Sequence, residues 1–158
     1  MAPMARPGDE GGITACSRTL RTELLSVADA DELIGLADRC LQGCEGWPPP
    51  ELVGPPEVGV VSLAVREPVV GERFLLTDVL ATRAQVHHRG QVGWAMRVGD
   101  APAATLAAAI CDAEAESGTG LAEAVEELCW ATARAREIED AAEWAELAAT
   151  EVRFEELT

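Results

Sequence analysis

The sequence predicts an α+β fold, in which an antiparallel sheet of three to four strands around a central hairpin packs with N-terminal and C-terminal helices. Two observations carry this. Apolar residues recur at helical spacing near both ends of the chain, whereas the stretch 57–99 alternates with a period of two. A third concerns size: 158 residues without an internal repeat make one domain, 14–158, behind a disordered tail, 1–13.

Each element follows from local chemistry. Leu20, Leu24 and Leu25 put one apolar side on a helix over Ser17 to Val27. Asp29, with Glu32 three residues on, is an aspartate version of the capping box and opens a second helix. Its stripe is Leu33, Leu36, Ala37, Cys40 and Leu41, and Gly43 ends it. Trp47-Pro48-Pro49-Pro50 and Gly54-Pro55-Pro56 then forbid regular structure between 44 and 56, leaving a stiff connector.

Val58 to Val65 is β-branched and bounded by proline, a reversal follows at Pro68 to Gly71, and Glu72 to Leu76 is a second short run. Residues 79–87 place Leu80, Thr82, Ala84 and Val86 opposite Ala81, Arg83, Gln85 and His87. Residues 91–98 place Val92, Trp94, Met96 and Val98 opposite Gln91, Gly93, Ala95 and Arg97. A two-residue turn between them would mix the two kinds of face. A three-residue turn, His88-Arg89-Gly90, pairs Val86 with Val92 and Ala84 with Trp94, and is the expected one. One face is then apolar against helices, and Arg83, Gln85, His87 and Arg97 share the other.

Asp100 is expected to cap the next helix, with Pro102 in its first turn and Leu106, Ile110 and Ala113 facing inward. Gly118-Thr119-Gly120 breaks the run. Leu121 to Ala149 forms a long helix whose stripe shifts before Ile138, marking a change of packing partner. Glu151 to Thr158 reads as an extended tail with Val152 and Phe154 seeking a groove.

The net charge is −16 and every basic residue is arginine. Residues 101–158 hold fourteen acids and three arginines, whereas 57–99 are nearly balanced, with four acids and five arginines. Such a chain repels nucleic acid and anionic membranes, and its acidic face serves either solubility or a basic partner. No stretch has the apolar length of a membrane span, and the N-terminus lacks the apolar core of a secretory signal. Five cysteines without regular spacing fit free thiols in the reducing cytoplasm.

Catalytic motifs are absent. Without any lysine there is no lysine-bearing phosphate loop. Cys40 and Cys44 lie four apart, but no second pair completes a zinc site, so they read as small core residues and no metal is expected. His87 and His88 are neighbours on a strand end and point to opposite faces; solvent exposure at the hairpin tip is the plain reading. Arg83, His87 and Arg97 are the candidates for contact with an anion, set against the alternative of solvated or ion-paired arginines.

The chain from about residue 20 to 158 resembles the PhnG family. The resemblance is carried by Gly71-Glu72-Arg73-Phe74, by Asp78 with Thr82-Arg83-Ala84, and by Gly90 and Gly93. Val98-Gly99-Asp100, the Ala-rich stretch to Asp112-Ala113 and the tail Ala149-Thr150-Glu151-Val152-Arg153-Phe154 continue it. It departs from the family where an arginine is expected between Gly99 and Asp100, and at Glu151, Glu155 and Glu156.

The resemblance implies a G subunit of the carbon–phosphorus lyase core complex of phosphonate metabolism, assembled with I-, H- and J-type subunits. That complex joins an alkylphosphonate to ribose C1 of ATP with release of adenine, and the G subunit would organise the I-type subunit without catalytic residues of its own. ATP, S-adenosylmethionine and an iron–sulfur cluster are then expected elsewhere in the complex, with no cofactor on this chain. Thr82, Arg83, Arg97, Val152 and Phe154 are the expected subunit contacts, and exposed apolar surfaces would drive self-association of the isolated chain. Two other readings stand beside it: an acidic scaffold that binds a basic protein, and a small phosphate-ester or nucleotide enzyme using Arg83, His87 and Arg97.

Overall fold

The computed structural model of the chain describes residues 16–44, 46–148 and 150. The tail 1–13 and the expected contacts Val152 and Phe154 lie outside these residues.

Helix α1, Arg18–Val27, starts at Ser17, whose hydroxyl accepts from the Leu20 amide. Helix α2, Ala30–Gln42, starts at Asp29, whose Oδ1 accepts from the amides of Asp31 and Glu32 at 3.0 Å each. That carboxylate satisfies two of the four amides a helix start leaves unpaired and complements the helix dipole. Leu24 and Leu25 of α1, and Leu33, Leu36, Ala37 and Cys40 of α2, are buried.

The connector is not wholly irregular as expected. Glu51–Leu52 forms a short strand, β1, opposite His87 and Val86, because the two residues sit between the proline runs with their amides free to pair. Strand β2, Glu57–Arg66, pairs antiparallel with β3, Arg73–His88, which pairs in turn with β4, Gln91–Val98. The two short runs expected at 72–76 and 79–87 are thus one strand, with Leu76 left unpaired opposite Leu63/Ala64 of β2, a bulge that lets β3 bend without breaking.

The hairpin register overturns the expected turn. His88 pairs with Gln91, His87 with Val92, Val86 with Gly93 and Gln85 with Trp94, so the loop is Arg89-Gly90 alone. Both residues have positive φ, 48° and 71°, the backbone of a tight hairpin turn. Faces that the alternation seemed to keep apart are therefore mixed. Val86, Ala84, Gly93 and Ala95 are buried toward the helices, and Arg97 points the same way. Val92, Trp94 and Val98 lie on the outer face, with Arg83, Gln85 and His87. Space decides it: a side chain on Gly93 would meet the Ala109 carbonyl oxygen, so only the small-residue side of β4 fits against the next helix.

That helix, α3, runs Pro102–Ser117. Asp100 does not cap it; the cap is Ala101 without a side-chain bond, and Thr82 Oγ1 accepts the Ala101 amide at 3.0 Å instead. Ala104, Ala107, Ala108, Ala109 and Ala113, with Ile110 and Cys111, are buried, and the helix packs on β3, β4 and α2. Gly118 ends it in the left-handed conformation. Helix α4, Ala122–Ala148, buries only Val125, Cys129 and Ala133, which pack toward α1 and α3.

Two elements run past this core. Beyond Ala133 every described residue of α4 is exposed, including Ile138 at 73% and Trp144 at 72%. The outer halves of β2 and β3 form a ribbon whose residues are exposed on both faces, with Val60 at 66% and Leu75 at 62%. Among the described residues no helix is long and apolar enough to cross a membrane.

Candidate functional site

The outer face of the sheet collects part of the expected site. Arg83 donates to Glu57 Oε2 from Nε and Nη2 at 2.7 Å, as an exposed two-pronged pair. A shallow cleft of about 140 Å³ lies there, bounded by Val53, Pro55, Glu57, Arg83, Gln85 and Trp94. His87 stands on the same face, opposite Val92.

Arg97 does not join them, which corrects the shared polar face. It reaches inward and donates from Nη1 to the Leu25 carbonyl at 2.6 Å and from Nη2 to the Ala28 carbonyl at 2.7 Å. It thereby ties the end of α1 to β4, and burial holds its pKa below the ordinary arginine value. Thr82 is fully buried and pins the chain before α3, donating to the Gly99 carbonyl at 2.7 Å. An anion site built from Arg83, His87 and Arg97 together therefore has no common face.

Two buried polar clusters lie beyond the sequence expectations. In the first, Asp112 of α3 accepts from Arg18 Nη2 at 2.8 Å, Arg21 Nε at 3.2 Å and the Trp94 amide at 3.1 Å. Arg18 also donates to the Val92 carbonyl at 2.6 Å, and Arg21 to Glu116. Arg18 and Asp112 thus occupy backbone groups on the free edge of β4, which is otherwise a template for pairing with another strand. The Asp112 hydrogen bond holds Arg18 above the ordinary arginine pKa.

The second cluster lies under the hairpin turn. Glu114 Oε2 meets His88 Nε2 at 2.6 Å and Arg89 Nε at 2.7 Å, while Oε1 accepts the Leu121 amide at 2.8 Å. Arg89 also donates to the Gly43 carbonyl at 2.7 Å and lies 6.0 Å from the Trp47 ring centre. His88 is therefore buried rather than exposed at the tip. The available signal was Asp112, Glu114 and Glu116 within an alanine-rich helix, since a buried carboxylate demands a cationic partner.

All five cysteines are free. Among the described residues no three His, Cys, Asp or Glu side chains are placed to hold a metal ion. Burial pushes the Cys129 thiol up to about 12, against an ordinary value of 9.0. A raised folded-state pKa favours the neutral thiol in the fold. Its contribution is whole below pH 9.0 and is lost as pH climbs from there toward about 12. At about pH 10 the loss is on the order of 1 kcal/mol, read as a lower urea midpoint than at about pH 8. In Cys129→Ala that part of the pH dependence is expected to vanish.

The sequence matches the family of the phosphonate metabolism protein PhnG over residues 16–158. The chain belongs to the PhnG family. Among curated proteins none matches it. The matched stretch takes in the hairpin, both buried clusters and α4, so the elements above belong to a PhnG domain of phosphonate metabolism.

Proposed function

We propose that this PhnG chain is a subunit of a carbon–phosphorus lyase core complex that works in the cytoplasm. It supports transfer of an alkylphosphonate to ribose C1 of ATP with release of adenine, mainly by organising the I-type subunit. H- and J-type subunits complete the assembly, and the ATP, S-adenosylmethionine and iron–sulfur sites lie on the other chains.

The observation that carries this reading is the pair of arms. A two-stranded ribbon bearing Val60, Val61, Leu63, Phe74, Leu75 and Leu76 exposes apolar side chains on both faces, and the outer half of α4 exposes Ile138, Trp144 and Leu147. Neither is covered by the chain's own described residues, and apolar surface of this extent marks a site for another polypeptide. A binder working through charge alone would not need it. Arg83 and His87 on the outer sheet face extend the same surface, and Val152 and Phe154 follow the α4 arm in sequence. Thr82 and Arg97 act on it from within, by holding the hairpin on the helices. Without partners the same arms would drive self-association.

Co-expression with the I-type subunit is the test. The two chains are expected to co-purify, and Leu75→Glu together with Trp144→Glu is expected to cut recovery of the pair about tenfold or more. Because both residues are exposed, the double variant should keep the far-ultraviolet circular dichroism of the parent. Failure of the unaltered chains to co-purify would end this reading.

A further inference from the structure

We propose that Cys44, His88 and Glu114 form a nucleophilic thiol site whose substrate class is low-molecular-weight disulfides. Cys44 follows Gly43 at the end of α2 and is half-buried, whereas Cys16, Cys40, Cys111 and Cys129 are buried. Its Sγ stands 4.0 Å from His88 Nδ1. The other ring nitrogen of His88, Nε2, is 2.6 Å from Glu114 Oε2, and both side chains are wholly shielded from solvent.

The carboxylate sets the roles. Glu114 accepts from Arg89 through Oε2 and from the Leu121 amide through Oε1, so it is an acceptor toward His88 as well. His88 Nε2 therefore carries the hydrogen and donates it, which leaves the Nδ1 lone pair facing the Cys44 thiol. A nucleophile, a base and a group that orients the base thus follow one another through space, the succession that activates weak nucleophiles in covalent catalysis. In the resting state the thiol donates to the Cys40 carbonyl at 3.2 Å.

The charges around the site favour the ion pair. Arg89 faces it from the hairpin turn and Glu114 from α3, Cys40 and Cys111 lie behind them, and the charge of exposed Arg39 reaches Cys40 from α2. Once His88 takes the thiol proton, the Arg89 guanidinium and an imidazolium flank one carboxylate and one thiolate among the described residues. The hydrogen bond between Cys40 and Cys111 lowers the Cys40 thiol and, with burial, holds Cys111 far above the ordinary thiol range; both are fully buried, so neither meets a disulfide from solvent.

The step is thiol–disulfide exchange. The Cys44 thiolate attacks one sulfur of the disulfide, the sulfur–sulfur bond breaks, and a mixed disulfide forms on Cys44. The departing thiolate takes the proton from His88 Nδ1, so electrons and protons balance without a further oxidant. Attack by a second small thiol reverses it.

The test uses the full chain with two probes, iodoacetamide and oxidised glutathione, and locates the adducts by peptide mass spectrometry. At about pH 6 an ordinary thiol, with a pKa of about 8.5, is almost wholly protonated. Native Cys44 is expected to react there about tenfold faster than the same residue in urea-unfolded chain, with the rate levelling off toward neutral pH. Oxidised glutathione is expected to modify Cys44 alone. His88→Asn should lower the native rate about tenfold, and if that variant does not fold, the pH profile of the unaltered chain decides the matter. A native rate no faster than the unfolded one, or one that climbs tenfold per pH unit as an ordinary thiol does, overturns the proposal.

Discussion

Replacing Asp112 by alanine is expected to destabilise the chain by about 3–5 kcal/mol, the cost of removing one partner from a buried ion pair. The carboxylate has no exposed surface, and both of its oxygens are engaged by groups from α1 and β4. Its removal leaves Arg21, 3% exposed, with only Glu116 for a partner among the described residues, and strips the edge amide of Trp94 of its acceptor. A domain of this size is stable by only about 5–15 kcal/mol, so a large part of the total is at stake. The comparison that isolates the cause is Arg21→Met with Asp112→Leu. Removing both charges takes away the attraction and the uncompensated cation together, so the double variant should recover part of the loss. Urea titration followed by circular dichroism measures all three chains. A loss under about 1 kcal/mol for Asp112→Ala would falsify the claim that this cluster ties α1, α3 and β4 together.

How much of this is legible in sequence depends on whether the deciding contact is local. The Asp29 cap, the Gly43 stop, the alternation of 79–87 and the Gly118 break are set within a few residues, and each stands where expected. The hairpin turn departs from expectation because its register is fixed by a distant element. Alternation says that Trp94 and Gly93 face opposite ways but not which of them meets the helix, and the backbone of α3 leaves room only for the smaller. Arg97 leaves the outer polar face for the same reason, since its acceptors, the carbonyls of Leu25 and Ala28, lie about seventy residues away in sequence. His88 has the sequence context of a solvent-exposed tip residue because its partner Glu114 arrives from α3. The exposed arms are partly visible: the change of stripe before Ile138 lies near the point where α4 leaves the core, while the ribbon's β-branched residues mark a strand without saying what covers it.

Gly93→Ala tests the register most directly and is expected to cost about 3 kcal/mol or more, the upper end for adding a methyl group to a packed interior. An ideal Cβ at Gly93 would lie 1.9 Å from the Ala109 carbonyl oxygen and 2.8 Å from both the Ala113 amide nitrogen and Cβ. These belong to the helix itself, so no side chain can swing aside; either α3 lifts from the sheet or β4 moves. Two other glycines separate this effect from the intrinsic cost of losing a glycine. At Gly90, φ is 71° and the nearest atom to a new Cβ is Trp47 Cζ3 at 3.9 Å, so alanine there meets backbone strain alone, about 1 kcal/mol. At Gly35, inside α2, nothing lies within 4 Å, so alanine should stabilise the chain by about 0.5–1 kcal/mol through helix propensity. The expected order of urea midpoints is therefore Gly35→Ala highest, then the parent, Gly90→Ala and Gly93→Ala. Had the hairpin the three-residue loop that puts Trp94 against the helices, Gly93 would face solvent and its alanine variant would sit close to the parent. The rank of that one variant decides between the two registers, and with them whether Arg97 faces α1 or the open side of the sheet.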